Sequence, residues 1–365
     1  MAELIIHTDK IKNNIKSLSK YFEERHIQWS LITKVFSGDK EFLKNVLTSD
    51  VIEHISSVGD SRLTSLKNLK EVNPDMKTIY IKPPAEMYAD DVVKYADISL
   101  NTSFNTINAL NQAAARVNKI HEIVIMIELG DLREGVNTSD IMNFYEKVFE
   151  LSNIEVIGIG SNLGCMYGVE PTYDKLLQLS IYKELISSKF NKKLKLLSGG
   201  TSITLPMVEN KIIPKDINHF RVGEAAFFGV SPLTNEKFRD LSTDTFDFEA
   251  NIIELESKHI VPDGTISEAN IGHIAEYDEK NVGESSFKAI LDFGMMDVEQ
   301  DDLTALDEDI RFVGVTSDML VVDIGTNKTA SGENKYKIGD KMYFKPNYMA
   351  VARLLNSKFI DKKYK

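Results

Sequence analysis

Apolar positions along the chain fall into two textures. Up to residue 228, short apolar runs alternate with stretches of helical period. Residues 4–7 read as a strand, and Thr8 as the N-cap of a helix with Ile11, Ile15, Leu18 and Phe22 on one face. The pattern then predicts eight strands, at 30–36, 51–58, 78–81, 97–100, 123–129, 156–160, 194–197 and 220–228. Helical periods between them include 39–47, 61–72, a helix with Phe104, Ile107, Leu110 and Val117 inward, one carrying Ile141, Phe144, Val148 and Leu151, and 173–190. Apolar runs without alternation suit strands covered on both faces, as in a parallel sheet. Eight strand–helix units predict a (β/α)8 TIM-type barrel, an α/β fold that typically takes about 250 residues. An open doubly wound sheet is the alternative. Beyond Gly229, β-rich segments at 247–261, 286–293, 310–324 and 341–344 alternate with turns such as Asp263–Gly264, and helical period returns only near the end. The expected domains are a barrel over 8–229 and a C-terminal all-β domain over 230–365, joined by the strand at 1–7.

Composition narrows the function classes. Of 365 residues, 42% are hydrophobic and 27% charged, as in ordinary globular proteins. A net charge of -12 argues against nucleic acid or an anionic membrane as partner. No apolar run is long enough to span a bilayer, and the start has no basic segment before an apolar core, so a cytoplasmic location is expected. One cysteine, Cys165, excludes an internal disulfide framework, and seven scattered histidines give no metal signature.

In such a barrel the active site lies at the C-terminal strand ends. The first strand ends near Lys34. A lysine desolvated there would lose its proton more readily and become a nucleophile toward aldehydes, a Schiff-base lysine. A lysine reaching solvent from a strand end is the plainer reading of the residue alone. After the seventh strand comes S-G-G-T-S, with Ser198, Gly200, Thr201 and Ser202. Its glycines allow close backbone approach, its hydroxyls and amides can donate to an anion, and barrel phosphate sites commonly follow strands seven and eight. A phosphate cradle facing Lys34 suggests pyridoxal 5'-phosphate. The pyridine nitrogen of such a cofactor can face a carboxylate or an arginine, and the eighth strand carries Arg221, whose plainer reading alone is a surface salt bridge. An arginine only donates, so the ring nitrogen stays unprotonated and reprotonation at Cα is favoured, which is racemisation.

The stretches T-K-V-F-S-G-D, D-S-R-L, A-D-I-S-L-N-T, I-M-I-E-L-G-D-L-R-E-G-V, G-I-G-S-N-L-G-C, L-S-G-G-T-S, I-N-H-F-R-V-G-E and T-S-D-M-L-V-V-D span residues 33 to 323. Together and in order they resemble the fold-type III pyridoxal phosphate enzymes, the alanine racemase superfamily, and within it the ornithine racemase-like amino-acid racemases. The resemblance implies that Lys34 carries the cofactor and is one of two catalytic bases. It implies that Thr201 and Ser202 bind phosphate with the loop amides, and that Arg221 faces the pyridine nitrogen. Arg133 would hold the cofactor hydroxyl or the substrate carboxylate. Asn162 would stand where many relatives place a histidine against the ring. Tyr348 would lie near the phosphate, and Asp318, counted as substrate-facing, would lie where this domain meets the partner's barrel. A head-to-tail homodimer is implied. The chain also departs from alanine racemases. The tyrosine four residues past the lysine is Gly38, and the strand-five lysine and aspartate are Met126 and Glu128. The opposite-face tyrosine is missing from A-N-I-G-H, so His273 or Tyr277 is the candidate second base.

The expected function is a racemase that moves the Cα proton between two bases. Glu128, Asp131 and Glu134 could receive a distal ammonium group, which points to ornithine or another basic amino acid as substrate. The same carboxylates could instead pair with Arg133 or solvent. A non-catalytic pyridoxal phosphate carrier, and a lyase or decarboxylase on the same fold, are the alternatives. Glu224, three residues past Arg221, is the one feature for a decarboxylase.

Overall fold

The computed structural model describes residues 1–266, 272–274 and 279–365. The chain divides into two units, residues 8–243 and residues 1–7 with 244–365. The first unit therefore runs past Gly229, and residues 230–243, expected with the β-rich part, cluster with the barrel.

Eight parallel strands close the barrel: β2 (Gln28–Ile32), β3 (Ser57–Asp60), β4 (Thr78–Tyr80), β5 (Ile98–Asn101), β6 (His121–Ile127), β7 (Ile154–Ser161), β8 (Leu196–Thr201) and β9 (His219–Val222). Gln28 to Leu31 of β2 pair with His219 to Val222 of β9, which removes the sheet edges. The interior is a layer of Ile32, Ile79, Ile98, Leu100, Val124, Met126, Ile157 and Leu196. Outside it, Val92, Val93 and Ala96 meet Leu110, Ala113 and Ala114 of the helix Phe104–Arg116.

Three expected strands differ. The first stops at Ile32 because Thr33 turns the backbone (φ -89°, ψ 12°), and Lys34–Phe36 form a 3-10 turn. The apolar pair Val35 and Phe36 is buried by helices rather than by sheet partners; Phe36 meets the Phe227 ring edge-on at 5.0 Å. In the second, Val51 belongs to a helix, Ser49–Ile52, and β3 starts only at Ser57. The eighth covers only β9; the rest of the apolar run is the helix Glu224–Phe228, with Ala225, Ala226 and Phe227 buried. Val117, expected inward, follows the helix end and is exposed.

Among the described residues, the second unit is a nine-stranded sheet. Its strands are β1 (Glu3–Ile6), β10 (Phe246–His259), β11 (His273–Ile274), β12 (Ser285–Leu291), β13 (Leu303–Ala305), β14 (Arg311–Val315), β15 (Leu320–Asp323), β16 (Lys341–Pro346) and β17 (Asp361–Tyr364). Strand β1 pairs antiparallel with β10 and parallel with β17. Phe248, Phe293 and Phe344 fill its core, and one helix, Tyr348–Asn356, begins at an Asn347 cap whose side chain accepts the Ala350 N–H. Among the described residues, no helix is long and apolar enough to cross a membrane.

Phe227 contacts both Phe36 and Phe42 edge-on, so it fastens the Lys34 turn to the barrel. Phe227→Ala should cost about 3–5 kcal/mol in urea unfolding. A loss below about 1 kcal/mol would show that the turn does not depend on this ring.

Candidate active site

The strand ends of the barrel gather polar side chains at one rim. Lys34 lies there, exposed, just past β2. Its neighbour in charge is Glu224, whose carboxyl is pushed up by burial and held down by the Lys34 ammonium. Of the two sequence readings, the lysine reaching solvent is the one seen here. Because β2 ends two residues earlier, Lys34 projects from a turn.

After β6 the chain folds back on itself. Val136 donates to the Met126 carbonyl and accepts from Glu128 N–H. The Glu128 carboxylate accepts the amides of Gly130 and Leu132 inside this loop. Arg133 and Glu134 form a forked ion pair, and Asn162, just beyond β7, donates to Glu134 Oε1 at 3.2 Å. Asp131 turns elsewhere. Almost fully buried, it accepts backbone N–H groups of Cys165, Met166, Tyr167 and Val169 at 2.9–3.4 Å. It is the organiser of the loop after β7, and its oxygens are spent on amides rather than turned to a substrate.

The S-G-G-T-S stretch is the end of β8 and the start of a 3-10 turn, Ser202–Thr204. Gly200 has φ +132°, and a Cβ there would fall on Thr204 Oγ1, so only glycine keeps this path. Ser202 Oγ accepts the Gly223 and Ala225 N–H groups at 3.4 and 3.2 Å, which ties β8 to the segment after β9. Arg221 is buried on β9. It donates through Nη1 to Ser198 Oγ and through Nη2 to the Ser161 carbonyl at 2.8 Å. Burial pushes its guanidinium down to about 10, with Glu134 opposing, so it stays charged at neutral pH. Two of its five N–H donors are used within the described residues. Asn162 Oδ1 and Ser161 Oγ, on the same rim, are buried without a partner there.

Lys34, Arg133, Asn162, Ser198, Gly200, Thr201, Ser202 and Arg221 therefore share one end of the barrel. Tyr348 opens the helix of the β unit and Asp318 lies in its turn between β14 and β15. His273 begins β11, opposite Val315, while Tyr277 lies outside the described residues. Sequence reasoning missed His219 on β9, which stands between Ser30 and Ser198 at 2.9 Å from each. A histidine two residues before the strand-eight arginine was the available signal, since alternate residues share the interior face.

Residues 6–232 match the family described as alanine racemase, N-terminal domain. The chain belongs to the alanine racemase family. Curated relatives include the ornithine racemase of Acetoanaerobium sticklandii, 31% identical over 99% of this chain and 98% of its own. The lysine racemase of Thermotoga maritima is 27% identical over 99% and 98%. In structure the chain is similar to the alanine racemase of Corynebacterium glutamicum (TM-score 0.73, 15% identity, 100% and 99% covered). It is equally similar to that of Bartonella henselae with covalently bound pyridoxal phosphate (0.73, 14%, 100% and 99%). A D-threonine aldolase from Filomicrobium marinum shares the fold too (0.69, 11%, 98% and 88%), so fold alone does not choose the reaction. The departures from alanine racemases noted above have structural counterparts. A Cβ at Gly38 would meet the Ser65 Cα at 2.6 Å, leaving no room for a tyrosine, and Met126 is sealed in the barrel core.

Two predictions follow from burial. Asp131→Ala strands several loop amides and should destabilise the chain by about 1–3 kcal/mol while speeding hydrogen exchange at Met166 N–H; unchanged exchange there would contradict the assigned anchor. Burial also pushes His219 down to about 3 and His121 to about 4, so both are neutral when folded. The unfolded chain protonates them near 6.5, so stability falls as pH drops from about 6.5 toward 4. Asp60, raised by burial to about 6, acts in the opposite sense between about 4 and 6. His219→Gln should remove up to about 1.4 kcal/mol per pH unit from the pH slope of urea stability across that window. An identical slope in the variant would mean the imidazole is not held neutral.

Proposed function

We propose that the chain is an amino-acid racemase that uses pyridoxal 5'-phosphate, works in the cytoplasm, and acts on ornithine or another basic amino acid. The observation that carries this reading is Arg221, a buried charged guanidinium with donors to spare, on the rim that also bears Lys34 and the Thr201–Ser202 turn. The residues fit the cofactor. The positive φ that glycine allows at Gly200 holds the turn into Thr201 and Ser202, and Asn162 Oδ1 is a buried acceptor without a partner among the described residues, next in sequence to Ser161, whose carbonyl Arg221 meets. Relatives named for ornithine and lysine, matched over nearly their whole length, support the substrate class.

Bound there, the cofactor would supply an electron-withdrawing ring that weakens the Cα–H bond of an attached amino acid. Lys34 would hold the cofactor aldehyde and move the Cα proton on one face. Glu224, near in charge to Lys34 rather than to Arg221, would steady the ammonium form between transfers. Arg221 would donate to the pyridine nitrogen without protonating it, which favours returning the Cα proton over losing a carboxylate. Thr201 and Ser202 would hold the phosphate, with Ser198 and Gly200 shaping the approach. Arg133 would orient the substrate carboxylate, and Asn162 would border the ring. On the family resemblance, Tyr348 would be a phosphate-binding residue and Asp318 a substrate-facing one. The opposite-face base would be His273 or Tyr277, contributed by a second copy of the chain in a head-to-tail homodimer. For the distal ammonium, Glu128 would be the carboxylate at hand, since the loop amides take only its Oε1; Asp131's oxygens hold the loop and Glu134's pair with Arg133 and Asn162.

A panel of L-ornithine, L-lysine and L-alanine, followed by chiral chromatography with added cofactor, tests the reading. Ornithine or lysine should exceed alanine in kcat/KM by about tenfold or more, and Lys34→Ala should lower turnover about 10³-fold. Equal rates on alanine and ornithine would remove the acidic specificity site. A protein that binds the cofactor yet exchanges no Cα proton in deuterium oxide would be a carrier instead.

A further inference from the structure

Five polar side chains form one hydrogen-bonded column inside the barrel. Ser57 Oγ lies 2.7 Å from Ser30 Oγ, which lies 2.9 Å from His219 Nε2. His219 Nδ1 lies 2.9 Å from Ser198 Oγ, which accepts from Arg221. All five side chains are buried. The column crosses four strands, β3, β2, β9 and β8, and ends on the guanidinium.

Donor and acceptor chemistry gives the column a direction. A guanidinium only donates, so Ser198 Oγ is an acceptor toward Arg221 and has one proton left. His219 Nδ1 is placed to take it. The imidazole proton then sits on Nε2 and is donated to Ser30 Oγ, whose own proton passes to Ser57. In the other tautomer Ser198 Oγ would accept from both Arg221 and Nδ1–H, with the two serines reversed to donate toward Nε2, and the Ser198 proton would be left without an acceptor in the column. A protonated ring would add a second cation to a column that already ends in one, against burial that pushes His219 well below its usual range. The Ser57 and His219 end lines a cleft of about 230 Å³ among the N-terminal strand ends, where Lys77 pairs with Glu122 and Lys195 with Glu155 around the rim.

We propose that His219 is a positioning residue, a neutral imidazole protonated on Nε2 that fixes the Ser198 hydroxyl and, through it, the rotation of the Arg221 guanidinium. This rests on the reading that Arg221 meets the cofactor ring; the imidazole's own state does not. Freed from Ser198, the guanidinium would keep only the Ser161 carbonyl as its partner among the described residues and would turn about that bond.

The test begins without cofactor. Long-range proton–nitrogen correlation spectra of histidine-labelled wild-type protein should show His219 neutral and protonated on Nε2 from pH 5 to 8. A charged ring, or one protonated on Nδ1, would overturn the proposal with no variant needed. Next come His219→Leu, which removes both hydrogen bonds, and His219→Gln, which can donate and accept. Arg221 Nη signals should be resolved in wild type, merge in the Leu variant as the group rotates freely, and resolve again in the Gln variant. Affinity for pyridoxal 5'-phosphate, followed by absorbance, should weaken about tenfold in the Leu variant and stay within about threefold in the Gln variant. Equal losses in both variants would make His219 a packing residue only, and unchanged Arg221 signals in the Leu variant would also refute the assignment. If wild-type protein takes up no pyridoxal 5'-phosphate, the functional reading fails, while the imidazole and arginine signals still decide this one.

Discussion

Carrying a guanidinium into the interior of a closed barrel costs several kcal/mol unless the groups around it answer its donors. The chain meets that cost with a serine hydroxyl from β8 and a carbonyl from β7. Only barrel closure brings β9 beside both β8 and β2, so the charge and the topology are one arrangement. The rim chemistry depends on it. A fixed positive donor at one side, an amine on a turn and a glycine-containing hydroxyl loop are the groups that the proposed cofactor would use.

Within the alanine racemase family, the chain has rebuilt some of the surroundings. Gly38 lets the turn after Lys34 press onto the helix Leu63–Val72, and Met126 puts a thioether where an amine would be costly. Polar support for Arg221 comes from Ser198 and, behind it, His219. Asp131 is a structural anchor, holding an exposed loop by its amides, and Glu134 is engaged by Arg133 and Asn162, while the loop amides take only Oε1 of Glu128.

Much of the barrel was legible because its strand regions carry or adjoin apolar runs flanked by helical periods. The strand errors have two causes. Strand starts inside the barrel are polar, with Gln28, Ser30, Ser57 and His219 facing inward, so hydrophobicity alone misplaces them. Apolar residues packed by helices, such as Val35, Phe36 and Phe227, look like strand but are not. Rim residues were legible from their place after strands. What each carboxylate bonds to was not, since Asp131, Glu128 and Glu134 are alike in sequence and differ only in which amides or cations the loop presents. His219 was hidden for the same reason: its role lies in two hydrogen bonds across strands distant in the chain.

The β-rich unit is built from both chain ends, with β1 lying between β10 and β17. That sheet holds His273 on β11, one of the two residues proposed as the opposite-face base. The account as a whole stands on the covalent role of Lys34. Borohydride reduction of the cofactor-treated protein, followed by peptide mass mapping, tests this most directly. The account predicts a single phosphopyridoxyl mass on the peptide containing Lys34. A label spread over surface lysines, or fixed on another residue with Lys34 unmodified, would contradict it.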